Sequence, residues 1–169
     1  MSQNIEIKAE TINIKRLYSL LENLGATFVS EMIQEDTYFN TQTSKRLKLR
    51  NIDNEKFVLI SYERPNTVSE KVSDWRSVSF EEKDKIFELL TFTFGIKVIV
   101  KKTRKVYQYK NTEIHLDQVE GLGNFVELET KVVDESSNAE HLDLIMKLEI
   151  DRKDLISESY SDLILNLNK

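Results

Sequence analysis

The sequence predicts an α+β protein in which antiparallel strands close into a β-barrel braced by helices. Three observations lead there. Most of the β-like stretches alternate apolar and polar residues with a period of two, so each presents one apolar and one polar face. The polar faces differ in sign: cations alternate along Arg46, Lys48 and Arg50, whereas carboxylates occupy Glu127 and Glu129. Amphipathic helical stretches ended by glycine lie between the strands.

Asn4 to Lys8 is the first strand, with Ile5 and Ile7 on one side and Asn4, Glu6 and Lys8 on the other. Asn13 to Leu24 reads as a helix, with Leu17, Leu20, Leu21 and Leu24 on one face and Gly25 at its end. Residues 28 to 39 form a strand with an irregular middle. Lys45 to Arg50 alternates cation and leucine, and the polar run 51 to 55 joins it as a hairpin to a strand over 57 to 64. That strand stops at Arg64-Pro65, since proline cannot donate to a ladder. Residues 66 to 78 read as a long polar loop or irregular strand. Ser79-Phe80-Glu81-Glu82 has the spacing of a capping box and opens a helix through Ile86, Leu89, Leu90 and Phe94, stopped by Gly95. Two further hairpin strands follow, with Lys102 and Arg104 on one face, then His115 and Asp117 on one face. Gly121 to Asn124 turns the chain into a strand carrying Glu127 and Glu129. Ser137 to Glu140 is a second capping-box pattern, before a helix through Leu148, and the tail from Ile156 to Leu165 reads as a short docking helix.

At 169 residues, with no internal repeat or linker, the chain is expected to be one domain, residues 1–169. It has no cysteine, which excludes a disulfide framework, a thiolate metal site and a cysteine nucleophile. The first residues show no signal-peptide pattern, and no apolar run is long enough to span a bilayer, so a cytoplasmic protein without membrane association is expected. A net charge of -5 argues against a nucleic-acid binder. The sequence leaves a homodimer open.

A solvated sheet usually intersperses charges of both signs. Here Glu6, Asp117, Glu127 and Glu129 gather on some strands, and Arg46, Lys48, Arg50, Arg64, Lys102 and Arg104 on others. In a barrel the alternate residues point inward, placing a carboxylate cluster near a cation cluster. Such an interior suits a polyanion together with a divalent metal. Oxygen ligands favour Mg²⁺ or Mn²⁺, and arginine can hold phosphate oxygens in a two-pronged contact.

These residues resemble the CYTH domain superfamily, the class IV adenylate cyclases and thiamine triphosphatases also called triphosphate tunnel metalloenzymes. The similarity runs in family order along nearly the whole chain and is nearest the class IV adenylate cyclase branch. Asn4-Ile5-Glu6-Ile7-Lys8 meets the Glu-x-Glu-x-Lys signature except at its first position. Further matches are Asp36-Thr37-Tyr38-Phe39, Arg46 to Arg50, Tyr62-Glu63-Arg64-Pro65, Lys71-Val72-Ser73, Lys102-Thr103-Arg104, His115 to Glu129 and Ser159 to Leu163. The resemblance implies an eight-stranded antiparallel tunnel that binds a nucleoside or inorganic triphosphate with Mg²⁺ or Mn²⁺. It implies metal ligation by Glu6, Glu127 and Glu129, with Asp117 as a ligand or a group hydrogen-bonded behind the ligands. Phosphate binding falls to Lys8, Arg46, Lys48, Arg50, Arg64, Lys71, Lys102 and Arg104. Lys8, Tyr38 and Asp117 are the implied catalytic residues, with Tyr38 orienting the attacking group alongside Lys8. His115 shares the polar face, as a hydrogen-bonding spacer or a catalytic group. The implied reaction is ATP to cyclic AMP and pyrophosphate; the alternatives are an inorganic or thiamine triphosphatase, or a triphosphate-binding module with little turnover. Asn4, where the family has glutamate, brings no negative charge and so weakens the hold on a second cation.

Overall fold

In a computed structural model of the chain, residues 4–11, 13–63, 74–81 and 84–167 are described, residues 74 and 75 by backbone alone. The strands are β1 (Asn4–Glu10), β2 (Thr27–Phe39), β3 (Arg46–Ile52), β4 (Lys56–Glu63), β5 (Asp74–Phe80), β6 (Ile96–Tyr109), β7 (Thr112–Val119) and β8 (Gly123–Lys131). The helices are α1 (Ile14–Leu24), α2 (Asp84–Phe94), α3 (Ser137–Lys147) and α4 (Tyr160–Leu167). All eight strands belong to one sheet of order β1-β8-β7-β6-β2-β3-β4-β5, with every neighbouring pair antiparallel.

The sheet makes its tunnel by curling. Among the described residues no ladder joins β1 to β5. In a flat sheet β1 and β3 would lie about 24 Å apart, at about 4.8 Å per step. Yet Lys8 of β1, Lys102 of β6 and Arg46 of β3 all reach the short run Glu158 to Asp162 at the start of α4. The polar face is therefore the concave one.

Two apolar layers fix that curvature from outside. Helices α1 and α3 pack on β1, β8 and β7 around Ala9, Leu21, Ile114, Val126, Leu128 and Leu144, each at most 1% exposed. Burying each of the larger of these side chains contributes about 1.5–3 kcal/mol. Helix α2 sets Leu90 against Phe39, Leu49 and Phe57 on the outer face of β2, β3 and β4. Between these layers the outer face of β2 and β6 stays uncovered, with Ile33 64% and Ile99 40% exposed.

Local chemistry explains most boundaries. Asn13 caps α1 by accepting the Arg16 N–H, and Gly25 ends it in the left-handed conformation at φ 72°. The β3–β4 turn carries Asp53 and Asn54 at φ 53° and 59°, where short polar side chains are tolerated, and Asp53 accepts the Ile33 N–H at 2.7 Å. The irregularity of β2 lies at its ends, as register shifts between Phe28 and Ser30 and between Tyr38 and Phe39.

Two expectations from the sequence are corrected. Ser79 and Phe80 belong to β5, whose ladder with β4 continues through Phe57↔Phe80, so α2 begins at Asp84 and no capping box forms at Ser79. Pairing to an existing edge outweighed the local cap. In α3 the Ser137 hydroxyl accepts the N–H groups of Val133 and Asp134, behind the helix, rather than capping it forward. Arg64 and Lys71 lie outside the described residues. Among the described residues no helix is long and apolar enough to cross a membrane.

His141 of α3 is buried at 1% exposure under the outer face, with Nδ1 2.7 Å from Thr130 Oγ1, itself 2.7 Å from Thr112 Oγ1. Burial lowers its pKa, so the unfolded chain takes up the proton first. Its contribution to stability is complete above the unfolded value of about 6.5 and is lost as pH falls through that value toward the lower folded one. Denaturant unfolding should show a smaller loss of stability between pH 7.5 and 5.5 in His141→Leu than in the wild type, and equal losses would refute this.

Candidate functional site

Along the concave face the charges run in order. At the β1–β8 side, Glu6 stands directly across from Glu129, and Lys8 from Glu127. Lys8 Nζ lies 3.1 Å from Glu127 Oε1 with both side chains buried. Glu127 also accepts a short hydrogen bond from Arg104 Nη2 of β6. Burial alone would raise the Glu127 pKa, but Lys8 and Arg104 hold it well below the usual carboxylate range.

Asp117 of β7 is 1% exposed and surrounded by donors. Arg104 grips it with Nε at 2.7 Å and Nη2 at 2.6 Å, Lys102 Nζ lies 2.9 Å away, and the Tyr160 hydroxyl donates from 2.9 Å. Burial raises the Asp117 pKa, but Lys102 and Arg104 outweigh it and keep the group ionised. With both oxygens committed, Asp117 holds the two cations in position. Burial, together with the charge of Arg104, brings Lys102 down to about 8.

A second network fills the β2–β3 side. Asp36 of β2 receives Lys48 Nζ at 2.7 Å and both prongs of Arg50 at 2.7 Å. Burial opposes its ionisation, yet Lys48 and Arg50 hold it far below the normal range. Burial lowers Lys48 to about 7, with Asp36 pulling the other way. Tyr38 lies beside this network, its hydroxyl 3.5 Å from Lys48 Nζ.

The start of α4 closes the arrangement. Ser159 and Asp162 cap the helix reciprocally: the Asp162 N–H donates to Ser159 Oγ and the Ser159 N–H to Asp162 Oδ2. Arg46 donates to the same two groups at 2.7 and 2.9 Å. The Tyr160 ring centre lies 4.1 Å from Lys8 Nζ and 5.0 Å from Lys102 Nζ, within cation–π range of both ammonium groups.

Lys8, Glu127, Asp117, Lys102 and Arg104 thus form one network, and Lys48 and Arg50 a second. Arg46 is tied to α4, and Glu6 and Glu129 face each other across β1 and β8. Tyr38 stands beside Lys48, and the tyrosine against Lys8 is Tyr160. Asp36, Tyr160 and Asp162 were not singled out from the sequence as site residues. Asp36 was findable, because it has the strand parity of Tyr38; nothing in a helical period says that a helix enters the concavity of a sheet. For a metal, His115, Glu127 and Glu129 offer ligand atoms all within 4.8 Å of one another. Two carboxylates and an imidazole fit a divalent cation such as Mn²⁺, which would share Glu127 with Lys8 and take Oε2 over from Arg104.

The CYTH domain family matches residues 2–160. A Methanocaldococcus jannaschii protein named "Putative adenylate cyclase MJ0240" is 30% identical, the match covering 94% of this chain and 97% of that one. The PH1012 protein of Pyrococcus horikoshii superposes with a TM-score of 0.81 at 27% identity, over 96% of this chain and 99% of that one. HpAC1 of Hippeastrum, a putative adenylyl cyclase reported with a dominant triphosphatase activity, shares the fold, with a TM-score of 0.66 at 15% identity over 100% of this chain and 97% of that one.

Removing the charge of Asp36 leaves Lys48 and Arg50 buried together without a counter-ion. Asp36→Asn should lose about 3–5 kcal/mol of unfolding free energy. Tripolyphosphate should stabilise this variant more than the wild type, since the anion supplies the missing charge. Thermal shifts with and without the anion test this, and equal shifts in the two proteins would sink it.

Proposed function

The chain belongs to the CYTH domain family, and from that premise we propose that it is a metal-dependent enzyme acting on a triphosphate, converting ATP to cyclic AMP and pyrophosphate. The observation that carries the proposal is an excess of carboxylates at one side of the concave face and of cations at the other, with Lys8 and Asp36 as the buried opposite charges at each side. Carboxylates Glu6, Glu127 and Glu129 lie at the β1–β8 side, and cations Arg46, Lys48 and Arg50 at the β3 side, with Lys102 and Arg104 between them. A triphosphate lying across that face meets a metal-binding side and a guanidinium side at once. Arg64 and Lys71 join the phosphate-binding set by resemblance.

Mg²⁺ or Mn²⁺ held by Glu127 and Glu129, with Glu6 across the ladder, would polarise phosphoryl oxygens. The protein's own groups supply the rest. Arg50 and Lys48 are held in place by Asp36, and Lys102 and Arg104 by Asp117, so the cations are oriented before substrate arrives and need little reorganisation during reaction. Phosphate oxygens at Arg46 compete with Asp162 for the same guanidinium. Lys8, paired to Glu127 and buried, is the group placed to assist the attacking hydroxyl, while Tyr38 lines the Lys48 side.

The lining of β4 and β5 favours a nucleotide over an inorganic chain. Strand register sets Val58, Ile60 and Tyr62 of β4, then Ser77 and Ser79 of β5, on the same face as Arg50, Lys48 and Arg46. This neutral strip beside the basic strand gives a base and ribose a surface, and a 3′-hydroxyl can then attack the α-phosphorus. Without nucleoside recognition the same face would serve a triphosphatase.

The test is to incubate the protein with ATP, thiamine triphosphate and tripolyphosphate in Mg²⁺ and Mn²⁺ and to separate the products. Cyclic AMP with pyrophosphate is expected, with turnover reduced about a hundredfold or more in Glu127→Gln. Orthophosphate as the sole product would replace the cyclase by a hydrolase, and metal-independent binding without product would reduce it to a binding module. A pH prediction follows from Lys48 at about 7 and Lys102 at about 8. Both lose charge as pH rises through those values, so triphosphate affinity should fall from pH 7 to 9. A bound anion restores their protons, and calorimetry at pH 8 in buffers of different ionisation enthalpy should show net proton uptake; none would count against these lysines as phosphate ligands.

A further inference from the structure

Within the proposed metal-dependent reading, the geometry points to His115 as a metal ligand through Nδ1, completing a site with Glu127 and Glu129 that selects Mn²⁺ over Mg²⁺. His115 is directly paired with Glu127 across the β7–β8 ladder, and Glu113 with Glu129, so the four side chains form a square on one face. His115 is 4% exposed, and its Nδ1 is buried with no hydrogen-bond partner. An unsatisfied ring nitrogen in a buried polar site is costly unless something fills its lone pair.

What surrounds that nitrogen identifies what would fill it. Nδ1 is 3.7 Å from Glu127 Oε2 and 3.7 Å from Glu129 Oε1. Both distances are too long for a hydrogen bond. They lie just beyond the separation of two ligands on one ion, since bonds of about 2.0–2.2 Å set ligand atoms about 2.8–3.6 Å apart at octahedral to tetrahedral angles, so the side chains would draw in by several tenths of an ångström around a cation. The other ring nitrogen has the opposite arrangement: Nε2 lies 3.3 Å from Glu113 Oε2. A carboxylate accepting the Nε2 proton leaves Nδ1 as the bare donor and orients the ring, as carboxylates behind metal-bound histidines do. Glu113 is thus a positioning residue.

The chemical consequence is selectivity. Imidazole nitrogen is a softer donor than carboxylate oxygen and is a poor ligand for Mg²⁺, whereas Mn²⁺ and Co²⁺ accept it. The β1 strand does not offer an equivalent ligand at its start, because Asn4 is exposed and paired with Lys131. The third donor beside Glu127 and Glu129 comes instead from β7.

The competing account is that His115 is a protonated spacer between the two carboxylates, and direct metal titration separates the two. Free Mn²⁺ is followed by electron paramagnetic resonance, Mg²⁺ by competition, with and without tripolyphosphate, for the wild type, His115→Gln, Glu113→Gln and Glu127→Gln. His115→Gln should lose about tenfold or more in Mn²⁺ affinity, with Mg²⁺ affinity changed by less than about threefold, and Glu113→Gln should lose less than His115→Gln. In the Co²⁺-loaded wild type a contact-shifted imidazole N–H proton should appear and vanish in His115→Gln. His141, the other histidine, sits beneath α3 on the outer face and cannot supply that signal. The variant's thermal unfolding without metal confirms that it folds. Unchanged Mn²⁺ affinity in a folded His115→Gln protein, or a Co²⁺ spectrum without the shifted proton, overturns the assignment of His115 and leaves the carboxylate site standing. A wild type that binds neither Mn²⁺ nor Mg²⁺ even with tripolyphosphate, and matches Glu127→Gln, overturns the metal-dependent reading itself.

Discussion

Charge taken out of water must find a partner, and this constraint orders the whole molecule. An unpaired buried ion costs on the order of several kcal/mol, yet the concave face buries Lys8, Lys48, Lys102, Arg104, Asp36, Asp117 and Glu127. Each can be buried only in the register that sets it beside its counter-ion. A slip of one residue between β6 and β7 would turn one of these charged rows into the apolar layer beneath α1 and α3. The apolar outer layers supply the free energy, and the inner charges supply the uniqueness of the pairing. Tertiary geometry obeys the same rule: α4 docks where its first turn can answer Arg46, Lys8 and Lys102.

How much of this was legible in the sequence depended on whether a feature was local. Strand parity placed Lys8, Arg46, Lys48, Arg50, Asp117 and Glu127 on polar faces, because a two-residue period needs no knowledge of neighbours. Gly25 and Gly95 ended their helices for an equally local reason. The strand β5 was only partly legible: residues 66 to 78 read as a long loop or an irregular strand, and the run Asp74 to Phe80 has little apolar alternation and is held by pairing to β4. Nor could the sequence show that Asp36 lies between Lys48 and Arg50, or that the Tyr160 ring packs against two lysines. Those contacts join residues of strands and helices whose spatial order, β6 beside β2 and α4 against β6, is set by the sheet as a whole.

The cations of this site are also not free agents waiting for an anion. Asp36, Asp117 and Glu127 hold them in fixed forks, which keeps the isolated protein from collapsing its own pocket and keeps the donors aimed. Burial nonetheless brings Lys48 and Lys102 near the edge of protonation against the pull of those carboxylates, so their charge responds to what lies beside them. A site built this way is strongest when filled.

One consequence lies in the order of synthesis. β1 is made before the other seven strands but pairs, among the described residues, with β8 alone, and Lys8 finds its last contact at Glu158, 150 residues later. The nascent chain therefore carries β1 unpaired, with a charged side chain exposed to water, until β8 has been made. Pairings between chain ends close slowly because they must overcome the entropy of the intervening loop. The locally connected hairpins, β3–β4 and β6–β7–β8, can assemble during elongation. The pocket itself can exist only after the start of α4 has been made, so a truncated product ending before Tyr160 would lack the turn that seals the cations.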